Sequence, residues 1–180
     1  TDTASNDQIF SQPLSRSWEK TKGQTLFWKQ PKRLKSAYLL RSKKQNLGTL
    51  RYEANYFVRR GLAKTSKGEW HFKYTRFSLP KVTISTKNSI LAETILETNW
   101  GWYGILELSG GYQYIWKPTH PSENEYCFST TADEPIIVFR PHFGFFKLEA
   151  EVEANPEVLH NPHFPLLSML GWFLVLLRVS

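Results

Sequence analysis

The chain has a single cysteine, Cys127, in 180 residues. That excludes an internal disulfide framework. No basic-then-apolar leader opens the sequence, so the expected compartment is a reducing, cytoplasmic one, with peripheral contact to a membrane left open. Nowhere is there a Gly-Lys-Ser/Thr phosphate loop, a His-Glu-x-x-His pair or a Gly-x-Ser-x-Gly elbow. The usual signatures of nucleotide hydrolysis, zinc proteolysis and α/β-hydrolase chemistry are therefore missing, and no enzymatic activity and no cofactor are expected. Long apolar runs are scarce too: one segment near the C-terminus qualifies.

What is present points to a folded chain. Hydrophobic residues make up 41% and aromatic residues 15%, including seven Trp and twelve Phe, more apolar surface than a disordered chain carries. The length fits one domain. We expect a flexible segment over 1–15, because the opening residues are polar and aperiodic, followed by one domain over 16–180.

Short runs rich in aromatic and β-branched residues recur from Thr25 onward, separated by turn chemistry, which is the mark of an all-β sandwich or barrel. Expected strands in the first half are Thr25–Lys29, Leu34–Arg41, Leu47–Glu53, Tyr56–Ala63, Glu69–Phe77 and Lys81–Thr86. The series continues with Ile90–Glu97, Trp102–Leu108, Tyr112–Trp116, Glu125–Thr130, Pro135–Phe139 and Phe145–Val152. Ser66-Lys67-Gly68, Lys87-Asn88 and Ser109-Gly110-Gly111 read as hairpin turns. Within Glu69–Tyr74 the alternation sets Trp70, Phe72 and Tyr74 against Glu69, His71 and Lys73, so one face is core and the other wet. Leu148, Ala150 and Val152 alternate with Lys147, Glu149, Glu151 and Glu153 in the same way.

The period then breaks. After Asn155-Pro156 and His163-Phe164-Pro165, residues Leu166 to Leu177 are apolar nearly all round, and Pro165 suits the first turn of a helix. A helix apolar on every side must be buried in protein or in lipid. Phe164–Val179 would span about 24 Å at 1.5 Å per residue, short of the roughly 30 Å hydrocarbon core. Only Val179 and Ser180 follow Arg178, a weak polar tail for an anchor. A helix over 164–179 buried inside the sheet is the expectation; a tail anchor is the alternative.

About twelve short strands followed by one wholly apolar C-terminal helix resembles the tubby C-terminal-like superfamily, which includes the tubby, LURP-one-related and phospholipid scramblase-like proteins. The resemblance covers roughly Leu26 to Val179 and rests on the order and number of elements together with Pro165–Leu177. It implies a closed antiparallel barrel of about twelve strands around a buried apolar C-terminal helix. It also implies phosphoinositide recognition through basic residues. The cysteine-rich cluster and proline-rich leader of many scramblase relatives are absent, so scrambling is not expected.

Charge gives the resemblance a place to act. Residues 1–81 hold 18 Lys and Arg against 5 Asp and Glu, net +13, and residues 82–180 hold 5 against 11, net −6, which together make the chain's +7. A chain polarised in this way attracts anionic surfaces. Candidate anion- or phosphoinositide-binding residues are Lys29, Lys32, Arg33, Lys35, Arg41, Lys43, Lys44, Arg59 and Arg60, with Lys64 and Lys67 beside them; the plain alternative is a solvated basic face. Acidic lipid headgroups or a membrane surface are the expected partners, with a protein partner as runner-up, and the oligomeric state is open. Trp70, Phe72 and Tyr74 alternate as core residues do, which argues against nucleic acid stacking.

Other clusters read structurally. His160-x-x-His163 supplies two imidazoles with no third ligand nearby, and Pro162 makes the segment a rigid lead-in to the helix. Cys127 has no base or cation at hand to activate it. Glu107, Glu149, Glu151 and Glu153 fit a wet strand face. In Trp100-Gly101-Trp102-Tyr103-Gly104 the glycines fit a barrel strand that bends, with close ligand approach as the alternative. A small-ligand carrier is disfavoured, because the helix would fill the barrel.

Overall fold

A computed structural model describes residues 13–31, 36–97, 102–120, 124–144 and 147–180. Twelve strands follow one another: β1 Leu26–Lys29, β2 Ala37–Arg41, β3 Asn46–Ala54, β4 Val58–Thr65, β5 Gly68–Thr75, β6 Lys81–Ser85, β7 Ile90–Glu97, β8 Tyr103–Leu108, β9 Tyr112–Pro118, β10 Tyr126–Ser129, β11 Pro135–Phe143 and β12 Leu148–Ala154. Each pairs antiparallel with the next, and β1 closes on β12 with Leu26 opposite Val152 and Trp28 opposite Ala150. The result is a closed up-and-down barrel with no free sheet edge. Short 3₁₀ turns, Trp18–Thr21 and Pro156–His160, precede the barrel and the helix α1, Phe164–Val179.

Most strand limits follow the sequence pattern, and the differences have local causes. Tyr56 and Phe57 belong to a turn, not to β4, because the Asn55 side chain accepts the N–H groups of Phe57 at 3.0 Å and Val58 at 2.7 Å. β5 ends at Thr75, since Ser78 takes φ 66° and Leu79 N–H bonds back to the Phe77 carbonyl at 2.8 Å. β11 runs four residues past Phe139 although Pro141 cannot donate to a ladder. Beyond Phe139 its last pairings are with β12 alone, where Pro141 lies opposite Ala150. Leu34, Lys35 and Phe145 at expected strand starts, and 1–12 of the expected flexible segment, lie outside the described residues. Ser15 itself donates its N–H to Asn46 O at 2.7 Å.

Inward positions carry the apolar side chains. In β5, Trp70, Phe72 and Tyr74 are buried while Glu69, His71 and Lys73 are exposed. α1 occupies the lumen: Phe164 to Leu177 are buried without exception, and the helix touches both β4 and β10, which stand six places apart in the ring of twelve. Only an element inside the ring reaches both. Trp172 stacks on Trp28 with centroids 5.6 Å apart and meets Tyr38 edge-on at 5.4 Å, and Phe173 lies against Phe72 at 5.4 Å. Each such side chain taken from water contributes roughly 1.5–3 kcal/mol. An interior cavity between the helix and β6–β10 measures only ≈10 Å³, at most one water, so the lumen has no room for a carried ligand there.

Both ends of α1 are anchored by polar side chains. At its start the Tyr114 hydroxyl accepts from Asn161 Nδ2 at 2.6 Å and shares a hydrogen bond with His163 Nδ1 at 3.3 Å. Trp18 packs edge-on against Phe164 at 5.3 Å and covers that end. At the far end Arg59 donates to Leu177 O at 3.1 Å and to Ser180 Oγ at 2.9 Å, while the Tyr52 hydroxyl meets Ser180 Oγ at 2.8 Å. A guanidinium there satisfies helix carbonyls left without intrahelical donors and faces the negative end of the dipole.

Two predictions follow from this packing. A Cβ on Gly171 would stand 2.2 Å from Phe139 Cζ, and Phe139 is itself fully buried. Gly171→Val should therefore lower stability by about 1–3 kcal/mol through overpacking, despite the poor helix propensity of glycine; chemical denaturation measures it. Burial lowers the His163 pKa from 6.5, so below about 6.5 the unfolded chain takes up a proton that the native state resists. Stability should fall as the pH drops through that range, and His163→Asn should lose this increment when urea midpoints at about pH 7.5 and about pH 5.5 are compared with the parent's.

Candidate functional site

Sequential strands in a closed ring turn the two halves of the sequence into two halves of a wall. β1–β6 carry the basic half and β7–β12 the acidic half. Outward side chains alternate with the aromatic inward ones, so Arg51 of β3, Arg60 and Lys64 of β4 and Lys73 of β5 fall on one outer surface.

On that surface lies an open groove of ≈360 Å³ lined by Arg51, Glu53, Arg60, Leu62, His71, Lys73 and Ser85, with Gly61 and Phe72 at its floor. The register explains the convergence. Glu53 faces Arg60 and Arg51 faces Leu62 across β3–β4, and Arg60 faces Lys73 and Leu62 faces His71 across β4–β5. Directly opposed residues stand about 4.5–5.5 Å apart at Cβ, so Arg60 and Lys73 are like charges held side by side. A second groove of ≈660 Å³ continues past the shared Leu62 and His71 toward Lys67, Lys87 and Asn88. Together they form a trough along β5 with cations at both ends.

Several outer cations are paired: on the basic strands Lys64 meets Glu69 at 3.6 Å and Lys81 meets Glu93 at 3.3 Å. On the acidic wall Arg140 binds Glu153 at 2.7 Å and also Glu125, and Lys117 binds Asp133. The Glu153 hydrogen bond above all holds the Arg140 guanidinium above its ordinary pKa, and the Asp133 hydrogen bond does the same for the Lys117 ammonium. In the groove, Arg60 and Lys73 make no ion pair among the described residues. Glu53 faces Arg60 from β3 but forms no ion pair with it, so the donors of both cations are open to an anion with several oxygens.

Of the residues singled out from sequence, only Arg60 lines this groove. Arg59 points inward and holds the end of α1. Lys29 lies over the Phe27 ring at 5.7 Å on β1. Arg41 donates to Ser42 O at 3.3 Å, and Lys43 and Lys44 occupy the β2–β3 turn, at the barrel end where α1 begins. Lys32, Arg33 and Lys35 lie outside the described residues. The described candidates thus disperse over both ends and the wall. Arg51, His71 and Lys73 were missed as site residues; their signal was present, since each occupies an outward position of a basic strand.

His163 Nδ1 is engaged by Tyr114, and among the described residues no group of three or more His, Cys, Asp or Glu is placed to hold a metal. Cys127 is buried, and that burial pushes its thiol pKa up although Lys117 pulls the other way. Trp100 and Gly101 lie outside the described residues; Gly104 faces inward, where a Cβ would meet Leu96 Cδ2 at 2.8 Å. Among the described residues no helix is long and apolar enough to cross a membrane. Comparison with known proteins finds no match for this chain among family models, curated proteins or solved structures.

Proposed function

We propose that this chain is a non-enzymatic, tubby-like barrel that binds a phosphate-bearing lipid headgroup, a phosphoinositide or an acidic phospholipid, at the wall groove. One observation carries the reading: Arg60 and Lys73 stand opposite each other across β4–β5 with neither in an ion pair among the described residues, in a groove also lined by Arg51, His71 and the single carboxylate Glu53, whereas the cations Lys117 and Arg140 on the acidic wall are neutralised. Each Lys or Arg close to an anionic membrane adds about 1 kcal/mol of attraction. The acidic wall would meanwhile be repelled, so the field of the whole barrel orients the molecule with β3–β6 toward the membrane.

A second reading has its own support. Ile105 faces Ile115 across β8–β9 and Ile95 lies beside Ile105 on β7, and Ile95 and Ile105 are half-exposed on the outer wall. An apolar stripe flanked by Glu93, Glu97 and Glu107 would suit a protein partner.

Vesicle sedimentation separates the two. The parent chain should bind phosphatidylcholine vesicles containing phosphatidylserine or a phosphoinositide, and binding should collapse between about 0.1 M and about 1 M salt. Arg60→Gln with Lys73→Gln should remove about 2 kcal/mol, roughly a 30-fold weakening. Equal binding to neutral vesicles, or none to either, would overturn the headgroup reading. A partner captured through Ile95 and Ile105 and retained at high salt would favour the second.

A further inference from the structure

The barrel end at which α1 stops carries an arrangement that the groove does not use. The β3–β4 turn and the β5–β6 loop both open at this end, beside the Arg59, Tyr52 and Ser180 cluster. On the turn, Tyr56 is 94% and Phe57 64% exposed; on the loop, Phe77 is 69% and Leu79 56% exposed. The rings of Tyr56 and Phe57 rest on each other at 5.0 Å. Four large apolar side chains at two neighbouring loop tips are held in water at a cost in free energy.

The backbone holds them there. The Asn55 carboxamide pins the turn through the N–H groups of Phe57 and Val58. In the loop, Ser78 adopts φ 66°, a left-handed conformation unfavourable for a residue other than glycine, and the Leu79 N–H to Phe77 carbonyl bond closes the bend. Because strands lie about 4.8 Å apart, the two tips stand roughly 10 Å from each other, as separate projections.

Cations lie just behind the tips. Arg76 adjoins Phe77, Arg178 is exposed in the last turn of α1, and Arg60 and Lys73 sit two residues inside the ends of β4 and β5. At 3.3–3.4 Å per residue that offset is about 7 Å, the depth by which interfacial segments bury an apolar face beneath the headgroups. Apolar tips beyond a belt of unpaired cations match the layering of an anionic membrane surface, hydrocarbon first and phosphate behind it.

We infer that this end of the barrel is its membrane-inserting pole, with Tyr56, Phe57, Phe77 and Leu79 entering the acyl region of an anionic bilayer while Arg60, Lys73, Arg76 and Arg178 meet phosphates. The inference rests on the headgroup reading and adds the tilt that brings this end of the basic wall into the bilayer first, with the inserting residues.

The test uses the full chain and vesicles of phosphatidylcholine with and without phosphatidylserine. Phe57→Ser with Phe77→Ser changes only exposed side chains, so the thermal melt should match the parent's. Vesicle affinity should fall by roughly a hundredfold or more, the loss expected when two rings no longer leave water. An environment-sensitive fluorophore on Phe77→Cys should shift to the blue on anionic vesicles and be quenched by lipids brominated in their acyl chains. The same label on Gln113→Cys, at the opposite end, should do neither, and the buried Cys127 leaves the introduced thiol as the reactive one. If the parent binds anionic vesicles but the double variant binds equally well and the label at 77 stays unshifted, insertion is wrong while the groove reading stands. If the parent binds no vesicle, both fall. If the double variant abolishes a self-association seen without lipid, and leaves vesicle binding intact, the tips are a protein contact and the lipid assignment is overturned.

Discussion

The structure depends on a mutual requirement between α1 and the sheet. Phe164 to Leu177 have no polar face to give to water, so the helix is stable only when enclosed on all sides. Twelve strands closing into a ring enclose more space than their own inward side chains fill, since about eight strands already give a lumen just wide enough to be packed by side chains. Each element supplies what the other lacks. The near contact of Gly171 with Phe139 and the stack of Trp172 on Trp28 show how closely the two surfaces match.

That requirement governs the polar chemistry as well. With the lumen apolar, ionic side chains are sent to the outer wall or to the two ends of the helix, where Arg59 and the Tyr114–Asn161–His163 set answer unpaired backbone and ring groups. Arg59 shows how sequence proximity misleads: it and Arg60 are neighbours, yet the pleat sends one to the helix carbonyls and the other into the outer groove. Charge on the wall is then free to be distributed for association, and here it is distributed unevenly.

The connectivity converts that unevenness into a direction. In a sheet whose strands crossed over, basic and acidic halves would interleave and largely cancel. In this ring neighbours in sequence are neighbours in space, so the basic strands β1–β6 and the acidic strands β7–β12 become opposed walls. The groove, the unpaired cations Arg60 and Lys73, and the apolar tips at Tyr56–Phe57 and Phe77–Leu79 all lie on the basic side.

Much of this was legible in the residues. Period-two alternation in Glu69–Tyr74, turn residues such as Ser109-Gly110-Gly111, and the all-round apolar run after Pro165 are local signals, and the strand count, the limits of α1 and its burial follow from them because backbone pleat and solvent exclusion act at short range. Which cations converge is a long-range matter. Arg51, Arg60 and Lys73 are brought together by cross-strand register, which the identity of single residues does not encode, and the fates of Tyr56 and Phe77 turned on the Asn55 cap and the Ser78 bend. The sequence by itself determined an all-β chain of about twelve strands with one enclosed apolar helix and polarised charge, while closure into a barrel was what the family resemblance implied and the structure shows. Only the tertiary structure decided which charges share a groove and which rings remain in water, because those depend on distances between segments that meet only when the ring closes.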